Sequence, residues 1–157
     1  MIETYFNAER AEGLLFAFIG AAAIVIAIWG WRQGAFWRGA AWPLVVVALI
    51  QISVGVSVGL RSAKDSQRVQ HIVEQEPARI ASEEIPRMQA VMKSFATNRW
   101  IEIGFLIIGL LVAMFASRGG TMQGAGAGLA VQAGLVLLLD LFAERRGHTY
   151  LEWLRTL

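Results

Sequence analysis

Two carboxylates stand inside otherwise apolar stretches: Glu102 in WIEIGFLIIGLLVAMF and Asp140 in GLVLLLDLF. An acid in such a setting binds a cation, relays a proton or pairs with a base, because an unpaired charge there is costly. Basic and acidic residues gather around both. Glu9, Arg10 and Glu12 precede the first apolar run, Arg61 follows the second, Arg99 precedes the third, and Glu144, Arg145 and Arg146 follow the fourth. The near balance of acids and arginines favours mutual ion pairing that closes one end of a helix bundle and fixes its register. On this reading Glu102 and Asp140 are each paired with an arginine. The alternatives are a carboxylate-lined vestibule for a cation and a docking surface for a partner.

Other polar residues within the apolar runs are neutral. Gln51, Ser53 and Ser57 fall in the second run and Gln132 in the fourth. Counted from the ends of their runs, Gln51 and Gln132 lie at similar depth, so they are expected to form an interhelical hydrogen bond worth about 0.6–2 kcal/mol. Amides do not titrate, so they offer no proton path through the bilayer centre. The absence of cysteine removes thiolate catalysis, disulfide exchange and cysteine-ligated metals. His71 and His148 both fall outside the apolar runs, and no Glu-x-x-His pair is present, which leaves a haem or di-iron centre without ligands. Phosphate-loop, nucleophile-elbow, metalloprotease and dinucleotide fingerprints are also missing. The expectation is a protein that is not an enzyme, with no metal and no cofactor.

The elements that position these residues follow from composition. Hydrophobic side chains make up 56% of the 157 residues, charged ones 17%, and the mean hydropathy is +0.52. Four nearly charge-free runs, at 13–31, 40–60, 100–116 and 124–142, approach the roughly 20 residues that cross a bilayer as helix. None alternates with period two, so a β-barrel is excluded. Glu3, Glu9, Arg10 and Glu12 ahead of the first run are unlike the basic start of a signal peptide, and the run is expected to remain uncleaved.

Short turns at 32–39 and 117–123 make two hairpins, joined by a polar connector at 61–99. Four crossings place the N-terminus, the connector and the C-terminus on one face. Eleven Lys and Arg residues lie on that face and three (Arg32, Arg38, Arg118) on the other, an asymmetry that predicts a cytoplasmic connector. A net charge of +2 inclines the chain toward anionic lipid, and nothing in the pattern points to nucleic acid.

The connector repeats apolar residues at helical spacing, first Val69, Ile72 and Val73, then, after Pro77, Ile85, Met88, Met92 and Phe95. It therefore reads as two amphipathic helices, the second capped by Ser82 and continuing into the third crossing. Glu83, Glu84 and Arg87 on its outer side are the candidate partner surface. Beyond Phe142, Gly147 reads as a stop, and Tyr150, Leu151, Leu154 and Leu157 as one face of a short helix lying in the membrane interface. At the opposite end Trp29, Trp31, Phe36, Trp37 and Trp42 form an aromatic belt. Small residues at spacings of four (Gly55 and Gly59; Gly124 and Gly128 with Gln132; Gly126, Ala130 and Gly134) suit close helix packing, within the chain or in a homo-oligomer. The fold class is all-α: an antiparallel bundle of four transmembrane helices over residues 1–157, with a helical connector and an interfacial tail.

The segments FNAERAEGLLF, EEIPRMQAVMKSF and FAERRGHTYLEWL resemble a family of small, uncharacterised four-helix proteins of the bacterial inner membrane. That resemblance implies architecture and a bacterial origin, and carries no reaction. In size and topology alone the chain is also similar to membrane-embedded immunity proteins. The function expected is binding of a protein partner, as an inhibitor, immunity factor or accessory subunit, with an oligomeric ion channel or small-solute transporter as the alternative.

Overall fold

The computed structural model describes residues 1–157. The chain folds into helices α1 (Ile2–Gly30), α2 (Ala35–Gln75), α3 (Ile85–Phe115) and α4 (Thr121–Leu154), with a single π-helical turn at Ile80–Glu84 and no strand. Each α-helix is long and apolar enough to cross a membrane. All four also exceed what a crossing needs: the 41 residues of α2 extend about 60 Å at the standard helical rise. Phe18, Trp100, Met114 and Phe115 leave more than two thirds of their surface exposed. Apolar exposure on that scale fits a lipid-facing exterior, and the chain is a multi-pass membrane protein in its architecture.

The breaks between helices have local causes. Gly34 (φ 127°) and Gly119 (φ 71°) occupy positive-φ conformations in the two short turns, which side chains resist. Pro77 stands two residues past the end of α2 and disfavours helix at Glu76, the residue that ends it. Pro86 sits in the first turn of α3, where its missing N–H is not needed.

Glycines record how the helices meet. On α1 and α2, Gly13 lies against Gly55, Gly20 against Ala48 and Gly30 against Trp37, so α2 returns along α1. On α3 and α4, Gly109 lies against Gly126 and Ala130, while Arg99 reaches Glu144. Between the hairpins α2 and α4 advance together, with Phe36 opposite Gly124, Ala40 opposite Gly128 and Leu44 opposite Gln132. A Cβ on Gly39 or Gly124 would collide with the backbone of the facing helix. Both glycine faces of α4 are thus used within one chain, one against α2 and the other against α3. Helix α2 joins α1 to α4, and α1 touches α4 only sparsely.

Two cores differ in kind. Toward the short turns the buried residues are mostly alanines, Ala23, Ala27, Ala40, Ala41 and Ala48 with Leu44. Lipid gives no hydrophobic drive for association, so contact there comes from close approach of small residues. At the other end, beyond the apolar runs, Tyr5, Phe6, Val69, Ile72, Met88, Tyr150 and Leu154 form a core of large side chains. That end lies outside the apolar runs, where water is the expected surroundings and burial of apolar area drives packing.

This second core corrects three expectations. The first half of the connector is not a helix of its own, because it is the continuation of α2 to Gln75. Ser82 does not cap α3; it lies inside the π-helical turn and donates to the Ala78 carbonyl, and that turn runs directly into Ile85. The tail is not a separate interfacial helix, since α4 passes through Gly147 without a break. Gly147 is instead a point of close approach, where a Cβ would stand 2.8 Å from the Met92 sulfur. Tyr150, Leu151 and Leu154 consequently face the core and not lipid headgroups.

Candidate functional site

The charged end of the molecule is built where the helices leave their apolar runs. Three ion pairs tie elements together there. Arg61 Nη2 on α2 lies 3.9 Å from Glu9 Oε1 on α1, and Ser62 donates to the other Glu9 oxygen at 2.8 Å. Arg146 on α4 donates to Glu12 on α1, and its guanidinium lies 5.7 Å from the Tyr5 ring centroid. Arg99 on α3 donates to Glu144 on α4 at 2.7 Å. The expected pairing across helices is present for these six residues.

It is absent for the two acids that drew attention first. Glu102 and Asp140 form no ion pair with any arginine; their carboxyl groups meet each other, α3 to α4. Glu102 is buried, and its Oε2 has no hydrogen-bond donor. The bases nearest in sequence are engaged elsewhere: Arg99 reaches outward to Glu144 and Arg146 crosses to α1. Arg10 and Arg145 are exposed and join no ion pair, so neither belongs to the cluster.

The two glutamines are not partners. Gln132 Nε2 donates to the Leu44 carbonyl at 3.3 Å, while both polar atoms of Gln51 lack a hydrogen-bond partner in the protein. The common direction of α2 and α4 is the reason. With Leu44 opposite Gln132, Gln51 is seven residues further along, about 10 Å nearer the charged end, level with Leu139 and Asp140.

Between the helices at this end is a cavity of about 150 Å³. All four helices contribute to its wall, and Glu9, Glu12, Arg61, Asp140 and Arg146 supply charged groups among Tyr5, Phe16, Val58, Phe95 and Leu139.

The candidate partner surface also changes. Glu84 is fully buried, with Arg68 Nη2 and Arg87 Nε donating to it at 2.9 Å each and the Tyr150 hydroxyl at 3.4 Å. Three elements deliver these groups, α2, α3 and α4, and Glu84 ends the π-helical turn that carries it inward. Only Glu83 of the original trio is exposed; the hydrogen bonds that Arg79 donates to it hold its carboxylate below the usual range. Burial lowers the Arg87 pKa, but the hydrogen bond and charge of Glu84 outweigh it and hold the guanidinium above its ordinary value.

Tyr5 stacks on Tyr150 with centroids 4.1 Å apart. Burial, aided by the charge of Glu9, pushes the Tyr5 hydroxyl up to about 12, against the opposing effect of Arg146. Tyr150 is raised too, first by burial and then by Glu84. Reading the sequence missed Tyr5, Ser62 and Arg68 as participants. A signal for Tyr5 exists: Ile2, Tyr5, Phe6, Glu9 and Gly13 continue a helical stripe ahead of the apolar run. At the far end the aromatic belt pairs edge to face, Trp29 with Trp37 at 5.3 Å and Trp31 with Trp42 at 5.9 Å.

No family model, curated protein or solved structure matches this chain.

Proposed function

We infer that this chain is a non-enzymatic protein of the bacterial inner membrane, an antiparallel bundle of four crossings with both termini in the cytoplasm, that acts by binding a protein partner. An inhibitor, an immunity factor or an accessory subunit acts in this way. The observation that supports the reading best is the water-side core, in which ends of all four helices are locked around Glu84 and the Tyr5–Tyr150 stack. A preorganised surface of this kind lowers the ordering cost of association. The face offered to a partner is the outer side of α3 and its leading turn, where Glu83, Gln89 and Lys93 are exposed, and not Glu84. A photoreactive residue at position 89 in cells is expected to give one discrete protein adduct that the same probe at Phe105, on the apolar exterior, does not. Adducts of the same size from both positions, or none from position 89, contradict the reading.

A second reading, a channel or transporter for a small solute, is favoured by the carboxyl pair without a cation beside an open cavity. In both readings the lipid bilayer is the environment and nucleic acid has no role. The glycine faces being filled within one chain leaves a homo-oligomer to form through other surfaces.

A further inference from the structure

At the short-turn end of the first hairpin, an open groove of about 320 Å³ lies between the end of α1 and the start of α2. Residue size makes it: the buried Ala27 and Ala41 form its floor, and Ile28, Trp31 and Trp42 stand around them with roughly half to two thirds of their surface exposed. The two indoles meet edge to face, 5.9 Å apart. Arg32 is the one charged group in the wall. It has no counter-charge. No acid occurs between Gly13 and Lys64 or between Ile103 and Leu139, and every ion pair of the protein lies at the opposite, charged end. Helices α2 and α4 also begin at this end, each with neither a capping side chain nor an acid in its first turn. The positive ends of two helix dipoles are thus left uncompensated beside an exposed base.

We propose that this groove holds one anionic phospholipid, its phosphate at Arg32 and part of an acyl chain between Ile28, Val45 and the two tryptophan rings. Shape alone selects no lipid, since all bilayer lipids offer similar tails. Arg32 supplies the selection, because a guanidinium presents paired N–H donors to a phosphate and basic pockets between membrane helices bind anionic headgroups. Depth agrees with this assignment. Indole rings settle at the level of the headgroups, and Arg32 directly follows Trp31. Both indoles carry an N–H donor suited to the ester oxygens next to the phosphate. A volume of about 320 Å³ is at the small end of ligand sites, which run from roughly 300 to 1,000 Å³; it takes part of one chain and leaves the headgroup at the surface. Apart from Arg32 the walls are apolar, which favours a lipid over a soluble anion. The site is independent of the partner surface on α3 and of which side of the membrane the short turns face.

The test is native mass spectrometry of the purified full chain, released from detergent after titration with dioleoyl phosphatidylglycerol or with dioleoyl phosphatidylcholine, which has the same tails and no net charge. One saturable phosphatidylglycerol adduct is expected, with phosphatidylcholine weaker by roughly fivefold, the factor that one basic side chain near charged lipid contributes. R32Q is expected to lower phosphatidylglycerol binding to the level of phosphatidylcholine and to leave the latter unchanged. R118Q removes an exposed base at the same end but outside the groove, and is expected to alter neither. W42A removes a mostly exposed ring from the wall and is expected to weaken both lipids. Equal affinity for the two lipids, no effect of R32Q, or an equal effect of R118Q overturns the proposal, the last by showing attraction to charge at large. Glycerol phosphate, the headgroup chemistry without tails, is expected not to compete; displacement of the lipid by an equal concentration of it would make a soluble phosphate the occupant and overturn the lipid assignment.

Discussion

Glu102 and Glu12 are both acids of the charged end, yet their substitutions should behave in opposite ways. Glu12 holds Arg146, and its loss frees a base that is only one-fifth exposed. Glu102 holds no base at all. Glu102→Gln is therefore expected not to destabilise the protein in detergent, because the amide keeps the contact with Asp140 and no base loses its partner. A drop of several kcal/mol, the cost of breaking a buried ion pair, would contradict this. Tyr5 carries a prediction about alkali. Its pKa is about 12 in the fold against roughly 10 in an unfolded chain, so its contribution to stability is complete below about pH 10 and is lost as pH rises toward 12. Melting temperature should fall across that window, and Tyr5→Phe should flatten the fall; an unchanged profile in the variant would show that Tyr5 is not responsible. Among these residues the sequence showed which ones were chemically unusual but not who met whom. Glu83 and Glu84 are adjacent and identical in type, and only Arg68 from α2 and Tyr150 from α4 make the second a core residue.

Elements were legible where composition alone decides them. Four charge-free runs of near-bilayer length appear as four long helices, and the continuity of the connector's second half into the third crossing is visible in its spacing. Register was not legible. Gln51 and Gln132 are similarly deep when counted from the ends of their runs, but backbone contacts at Gly124 and Gly128 set α4 against the first half of α2. Gly147 has the same side chain whether it ends a helix or admits a neighbour, and Met92 decides the matter. Close approach makes its own prediction. Gly124→Ala is expected to cost about 1–3 kcal/mol or more, as overpacking does, since its Cβ would meet the Phe36 carbonyl. Gly104→Ala faces open space and is expected to be neutral or to gain about 0.5–1 kcal/mol from helix propensity. Equal melting temperatures for the two variants would mean that α2 and α4 do not pack in this register.

At the scale of the molecule, the account joins two halves held together by different physics, small-residue packing along the apolar length and an aromatic, ion-paired core at one end. That second core requires the N-terminus, the α2–α3 connection and the C-terminus to share one side of the membrane. The chain contains no cysteine, so single cysteines introduced at exposed Gln33, Ser117, Gln67 and Thr156 report their side without interference. In intact cells treated with a membrane-impermeant thiol reagent, labelling is expected at 33 and 117, and at 67 and 156 only after permeabilisation. Labelling of 67 and 156 alone would reverse the orientation, and labelling that places 67 and 156 on opposite sides would contradict the fold.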